Sequence, residues 1–313
     1  MKEQIRIVLV GLLMGAAEVV PGVSGGTIAF VSGLYERLIN SIQRLTPMRL
    51  LDLPRLGAVQ WWHSLDLNFL SLLFGSMFVS ILVLARGVSF LLEFYPVMIW
   101  SFFFGLIIAS VFVVGRKLLP FTSSTFLSLL LGLVLGVVIT RIVPLESEAT
   151  PLMLFLGGCI AVCAWILPGL SGSFILLILG LYQVVINAVK DFDLLTVGYV
   201  AAGCVVGLLS FSRVLSLLLS RYHDLTISLL VGFMLGSLTK IWPWRHTTSY
   251  QIKPGGGQIP VVQEPVLPFQ YEAITGQDPQ IVFACLALTL GFLLILGMDR
   301  FALLNDTNVD KAR

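Results

Sequence analysis

Charged side chains are scarce in this sequence. They make up 12% of its 313 residues, against about a quarter in an ordinary soluble domain. With 57% of residues hydrophobic and a mean hydropathy of +0.97, the chain lacks the polar surface that a water-soluble enzyme of its length requires. An excess of one sign is missing as well. Lys and Arg number 19 and Asp and Glu 17, which leaves no basic field for a nucleic acid. The three histidines, His63, His223 and His246, fall in polar connections, and the four cysteines, Cys159, Cys163, Cys204 and Cys285, lie inside apolar runs. No pair has metal-ligand or redox spacing, so the cysteines read as small helix-packing residues, and no metal or cofactor is expected. A cleavable signal peptide is not expected either, because the first apolar run leads into a Gly- and Pro-rich break rather than a small-residue cleavage site.

What the sequence does contain is apolar length. Uninterrupted stretches run from Phe69 to Ala85, Val97 to Val114, Phe126 to Val143, Thr196 to Phe211, Thr226 to Ile241 and Ile281 to Met298. Each is long enough to cross a hydrocarbon core roughly 30 Å thick at about 1.5 Å per residue. Two further stretches are interrupted. Ile5 to Val20 breaks at Pro21-Gly22-Val23-Ser24-Gly25-Gly26-Thr27 and resumes at Ile28; Leu152 to Leu167 breaks at Pro168-Gly169-Leu170-Ser171-Gly172-Ser173 and resumes at Phe174. The expected class is an all-α polytopic membrane protein.

The two breaks are copies of each other. At an offset of 147, Gly11, Pro21, Gly22, Ser24, Gly25, Gly33, Leu34, Tyr35 and Asn40 align with Gly158, Pro168, Gly169, Ser171, Gly172, Gly180, Leu181, Tyr182 and Asn187. At 127, Arg86, Tyr95, Gly105 and Ser110 meet Arg213, Tyr222, Gly232 and Ser237; at 159, Pro120, Gly132 and Arg141 meet Pro279, Gly291 and Arg300. The chain therefore divides into homologous halves, 1–145 with an insertion at about 43–66, and 146–313 with an insertion at about 243–280. Basic residues orient them. If each broken pair crossed the membrane, Lys and Arg would divide 9 to 10 between the two sides; if each is a hairpin that leaves on the side it entered, they divide 13 to 6. The second split is the positive-inside pattern, with both termini cytoplasmic. Three crossings per half then give the halves opposite orientations, the inverted-repeat plan of secondary transporters.

Non-helical backbone inside a bilayer survives only where it is buried in protein or lines a cavity. After each break a half-helix begins, so Ser24, Gly25, Gly26 and Thr27, and likewise Ser171, Gly172 and Ser173, present hydroxyls and N–H groups at a positive dipole end, which suits a phosphate or carboxylate. The plainer alternative is that these small residues only permit close helix packing. Glu18, one turn before Pro21, is a carboxylate at membrane depth that costs roughly 2.5 to 3.5 kcal/mol to insert, and it is the candidate for exchanging a coupling proton or sodium ion. Its alternative is a protonated acid bonded to freed backbone. The matched Arg86 and Arg213 are candidates for holding a phosphate, or snorkelling anchors. Arg141 and Arg300 read as end anchors. Arg44, Arg49 and Arg55 with Trp61 and Trp62 suggest a cytoplasmic segment on anionic headgroups. The Pro- and Gly-rich stretch 243–280 reads as an external loop rather than a domain, either a lid or a connector.

The run GAAEVVPGVSGGTIAFVSGLYERLINSI and its second copy WILPGLSGSFILLILGLYQVVINAV closely resemble the bacterial polyprenyl-phosphate transporter (PopT) family, long catalogued as a membrane family of unknown function. The resemblance covers nearly the whole chain. It implies return of undecaprenyl phosphate across the bacterial cytoplasmic membrane for reuse of the lipid carrier. It also implies a multi-pass protein with a polyprenyl phosphate partner, whose motif maps onto Pro21, Gly22, Ser24, Gly25, Gly26 and Thr27 and onto Pro168, Gly169, Ser171, Gly172 and Ser173. Two rivals stay open: an ion-coupled transporter of a small anion, and a polyprenyl-pyrophosphate phosphatase. The second is disfavoured because Gly25 and Gly172 stand where such enzymes carry a phosphate-binding arginine, and Glu18 is the only acidic residue well inside an apolar run. Assembly as a homo-oligomer is left open.

Overall fold

A computed structural model describes residues 2–20, 23–52, 55, 57–142, 149–252 and 258–310; Pro21 and Gly22 of the first motif lie outside them. The protein is an all-α polytopic membrane protein that carries, among the described residues, one small hairpin of strands. Helix α1 (Lys2–Glu18) leads to the first break, and α2 (Gly25–Val31) leaves it. The chain then turns sharply at Gly33, whose φ is +74°, into α3 (Tyr35–Arg44). The stop signal is a Schellman motif, in which the Gly33 N–H donates to the Phe30 carbonyl and the Leu34 N–H to the Ala29 carbonyl. Its second copy is identical in kind. Helix α10 (Gly172–Ile178) ends at Gly180, φ +71°, with Gly180 donating to Leu177 and Leu181 to Leu176. The bend into α11 (Tyr182–Lys190) is 112°. The repeated Gly-Leu-Tyr triplet is thus the hinge that folds each returning arm sideways.

Between the hairpins lie, among the described residues, two short helices, α4 (Pro47–Leu50) and α5 (Ala58–Ser64), and three long ones, α6 (Leu67–Phe94), α7 (Pro96–Gly115) and α8 (Ser123–Arg141). The second half repeats the order with α9 (Pro151–Ile166), α12 (Leu194–Arg221), α13 (His223–Ser237) and α15 (Ile281–Asp310). Five described helices are long and apolar enough to cross a membrane, namely α6, α7, α8, α12 and α15. The sixth expected span, 226–241, is the 15-residue α13. Two spans are longer than their apolar runs, because α6 and α12, 28 residues each, continue past Arg86 and Arg213 to Phe94 and Arg221. Those arginines therefore sit within helices and not at their ends. The stretch 243–280 is more ordered than a loop. It forms an antiparallel pair, β1 (Arg245–Ile252) with β2 (Gln258–Pro265), followed by α14 (Pro268–Thr275). Thr247, Ile252, Ile259 and Val262 supply the β-branched residues that favour strands, which the count of prolines and glycines concealed.

Lipid gives no hydrophobic drive for helices to associate, so close packing at small residues does the work. Helix α1 packs on α6, and α9 on α12. A Cβ on Gly11 would meet the Leu73 carbonyl oxygen at 2.5 Å, and one on Gly158 the Val200 oxygen at 2.3 Å. The remaining spans exchange partners between the halves, with α7 against α15 and α8 against α13. There a Cβ on Gly105 would lie 2.0 Å from the Leu288 oxygen, and one on Gly291 2.1 Å from that of Phe102. At the matching interface Gly132 faces Leu229 at 2.1 Å and Gly232 faces Leu129 at 2.2 Å. Three of the four cysteines lie at the packing interface of α9 and α12: Cys159 donates to the Gly203 carbonyl, Cys163 to that of Gly207 and Cys204 to that of Gly158, whereas Cys285 is exposed and departs from the expected packing role.

Candidate functional site

The two hairpin tips touch. Ser24, the N-cap of α2, has its Oγ 3.0 Å from the Trp165 carbonyl oxygen, to which it donates, and accepts from the Gly26 N–H at 3.1 Å. The Gly169 N–H donates to Thr27 Oγ1 at 3.0 Å. A Cβ on Gly26 would stand 2.8 Å from the Ile166 oxygen and 2.9 Å from that of Trp165, so only glycine allows this approach. Glu18 lies at the centre. Its Oε1 accepts from the Gly25 N–H at 2.6 Å and from the Trp165 indole N–H at 2.8 Å. Trp165 is the residue 147 positions on, so the two halves meet at the pair of positions where they differ in chemistry.

The tips are not equivalent. At the first, the carboxylate of Glu18 and the hydroxyl of Ser24 already occupy the N–H groups that open α2, and every residue of α2 is buried. At the second, Ser171 makes no side-chain cap; its hydroxyl pairs instead with that of Ser173 at 2.9 Å. Of α10 only Gly172, Phe174 and Ile178 are buried. Gly169, with φ +88°, is pressed against α13, where its Cβ would meet Met234 Cα at 2.9 Å. Among the described residues, the helix-start N–H groups without a side-chain cap are therefore those at the second tip.

The candidate arginines are far from these contacts in character. Arg86 and Arg213 are both exposed. Arg213 lines a cavity of about 420 Å³ with Asn40, Gln43, Arg44, Thr46 and Arg49, where α3 lies along the last turns of α12. Asn40 there accepts from Ser216 at 2.8 Å, and Glu36 pairs with His223 at 3.0 Å. Beside it, Arg37 holds both Asp66, at 2.8 Å, and Glu3, at 2.6 Å. Hydrogen bonds from Arg37 and Ser41 outweigh partial burial and hold the Asp66 carboxyl below its usual value. Arg141 is the exposed last residue of α8, as an end anchor should be, whereas Arg300 is exposed but lies within α15, which runs on to Asp310. Three features escaped the sequence reading: the ion pair of Arg116 with the buried Asp299, and the cations Lys240 and Arg245 above the second tip. Lys240 was detectable as a lone charge near the end of an apolar stretch. Among the described residues no group of His, Cys, Asp and Glu could hold a metal ion.

Comparison with known proteins identifies the lineage. A family described as "Undecaprenyl phosphate translocase-like" matches residues 14–259. The "Polyprenyl-phosphate transporter" of Vibrio cholerae serotype O1 is 45% identical over 294 residues, 94% of this chain and 96% of that protein. A protein of the same name from Staphylococcus aureus is 30% identical over 257 residues, 75% of this chain and 85% of its own length. No solved structure matches the chain. The chain belongs to the undecaprenyl phosphate translocase-like family, whose curated members here are named as transporters and not as enzymes.

Proposed function

We propose that this member of the family returns undecaprenyl phosphate from the outer to the inner leaflet of the bacterial cytoplasmic membrane, by alternating access between two inverted repeats, 1–145 and 146–313. Both termini then face the cytoplasm, and each half is a re-entrant hairpin with three spans. The observation that carries the reading is the meeting of the tips: Glu18 on Trp165, Ser24 on the Trp165 carbonyl and Gly169 on Thr27 join loops 147 residues apart in sequence. A phosphate head fits at Ser171, Gly172 and Ser173, where hydroxyls and N–H groups remain available, while the prenyl tail stays in lipid. Pro21, Gly22, Pro168 and Gly169 open the loops; Ser24, Gly25, Gly26 and Thr27 brace the second tip from the first. Arg213 belongs to the cavity at the cytoplasmic end, where Arg44 and Arg49 offer the head its exit. Arg86, within α6 and eight residues before its last, is its repeat counterpart toward the outer side.

A difference between the halves supports exchange. Helix α3 packs along α12, whereas the corresponding pair, α11 and α6, makes no comparable packing. The cytoplasmic end is thus latched and the outer end open, and the opposite state follows by swapping these relations. Glu18 serves as the coupling group: protonating it frees the Gly25 N–H and the Trp165 indole, and so loosens one tip from the other.

Reconstitution into vesicles tests the reading. Purified protein should move a polyprenyl phosphate between leaflets, with inorganic phosphate a poor competitor and an imposed proton gradient setting the rate. Glu18→Gln should keep movement down the lipid's own gradient and lose the response to proton or sodium gradients. A variant that still responds to a proton gradient would remove Glu18 from the coupling step, and wild-type protein that moves inorganic phosphate but no lipid would replace the substrate.

A further inference from the structure

Directly beyond the second tip stand two cations for which the described residues supply no acid. The Lys240 Nζ lies 4.3 Å from the centroid of the Phe174 ring, the residue next to Ser173. The Arg245 guanidinium lies 3.8 Å from the centroid of Trp100 on α7, and its Nη1 donates to the Lys240 carbonyl at 2.8 Å. Both side chains are partly sheltered, and neither has a carboxylate within ion-pair distance among the described residues. The walls are aromatic: Trp242 meets Phe104 edge-on at 5.3 Å and Trp244 at 5.6 Å. Burial pulls the Arg245 guanidinium below its ordinary value, which is the cost of holding a cation here without a partner. Two like charges held together among aromatic rings gain part of that cost back from cation–π contact and the rest from an anion that bridges them. An ammonium carries three donors and a guanidinium five, of which one is spent on the Lys240 carbonyl.

The pair has no twin. Residue 113, the repeat counterpart of Lys240, is a fully buried valine. Anything built at Lys240 therefore serves one face of the bundle only, the face at the end of α13 opposite the Arg213 cavity. A site that helped the head equally on both faces would be duplicated, as the glycines and hinge tyrosines are.

We propose that Lys240 and Arg245 form a docking site for a phosphate monoester at the outer mouth of the protein, from which the head passes by Phe174 to Ser173 and Ser171. The site rests on the transport reading for its direction, and on the cation pair alone for its chemistry. Trp100 and Phe174 set the rings that hold each cation toward the mouth, so they act as positioning residues.

The test is binding of farnesyl phosphate to the purified full chain in lipid nanodiscs, with farnesol and inorganic phosphate as competitors. Lys240 makes no side-chain hydrogen bond among the described residues, so Lys240→Gln should fold with an unchanged thermal midpoint; it should bind farnesyl phosphate at least tenfold more weakly, the loss of one charge-assisted contact. Lys240→Arg, which keeps the charge, should bind within a fewfold of wild type, and farnesol should compete with neither. Weak competition by inorganic phosphate assigns the site to a lipid head, whereas competition at equal concentration keeps the phosphate chemistry and assigns it to a soluble anion. Unchanged binding by a folded Lys240→Gln overturns the docking site and leaves the transport reading standing. Failure of wild-type protein to bind any prenyl phosphate overturns the transport reading itself.

Discussion

The two hairpins share a motif and a fold, yet they are finished differently. The first is sealed: Glu18 and Ser24 satisfy the start of α2, all of α2 is buried, and α3 buries Tyr35, Leu38, Ile39, Ser41 and Ile42. The second is open: Ser171 caps nothing, much of α10 is accessible, and of α11 only Ala188 is buried. The two loops start from the same motif, and one carboxylate, Glu18, ties the first to Trp165 beside the second. On the proposed function the sealed hairpin is the scaffold and the open one the working surface.

The harshest way to break that contrast is to put a side chain at Gly26. Its counterpart is Ser173, which carries a Cβ without clash, whereas a Cβ at Gly26 meets backbone oxygens of Trp165 and Ile166 below 3 Å. Backbone cannot swing away, so Gly26→Val should cost about 1–3 kcal/mol or more in overpacking and abolish transport. Ser173→Gly should leave the thermal midpoint near wild type. Comparing melting of the two variants in detergent measures the asymmetry directly, and equal destabilisation would show the tips to be interchangeable.

A cysteine pair comes next, because it reports the state that is not seen. Asn40 and Ser216 join α3 to α12 at 2.8 Å. Repeat arithmetic moves that pair to Asn187 and Ser89, which today belong to helices without comparable packing. In a background lacking the four native cysteines, Asn40→Cys with Ser216→Cys should cross-link and stop transport. Ser89→Cys with Asn187→Cys should cross-link only during turnover or on adding polyprenyl phosphate. If the second pair never reacts, the halves do not exchange roles.

A smaller effect is expected from hydroxyls. Removing both Ser171 and Ser173 hydroxyls with alanine takes away a pair bonded only to each other, so stability should hold while transport falls severalfold. Ser24→Ala with Thr27→Ala removes bonds to Trp165 and Gly169 and should lower stability first. Transport rate and melting temperature, measured for both double variants, should therefore rank them in opposite orders.

Much of this was legible from residue spacing. The doubled Pro-Gly-x-Ser-Gly breaks marked the half-helices; the repeat also aligned the Gly-Leu-Tyr triplets and the glycines at 105, 132, 232 and 291, but alignment alone did not say that the first are Schellman turns and the second helix interfaces. What stayed hidden depends on distance in three dimensions or on competing local signals. Glu18 and Trp165 align at an offset of 147, but no periodicity says that aligned positions touch. Arg86 and Arg213 end apolar runs without ending helices, since arginine is a good helix former. The strands at 245–265 sit among prolines that read as loop, and Lys240 lay at the edge of a stretch read as a membrane span.

The gentlest test concerns the latch that keeps the two hairpins unequal. His223, at the junction of α12 and α13, pairs with Asp224 at 3.1 Å and with Glu36 on α3 at 3.0 Å. Its bond to Asp224 raises the imidazole above its ordinary value; burial opposes this, and the bond to Glu36 and the charges of both carboxylates add to the rise. A histidine raised in this way stabilises the packed arrangement fully below its ordinary value, and that contribution fades as pH climbs through the raised one. Half-exposed ion pairs contribute little, so the fold should survive the loss and only the contact between α3 and the α12–α13 junction should loosen. Cross-linking of the Asn40→Cys, Ser216→Cys pair should therefore decline on moving from mildly acidic to mildly alkaline buffer, and His223→Ala should flatten that dependence with Asp66 and Arg37 still paired. An unchanged slope in His223→Ala would transfer the latch to the apolar contacts of Leu215 and Leu219, which are buried whatever the pH.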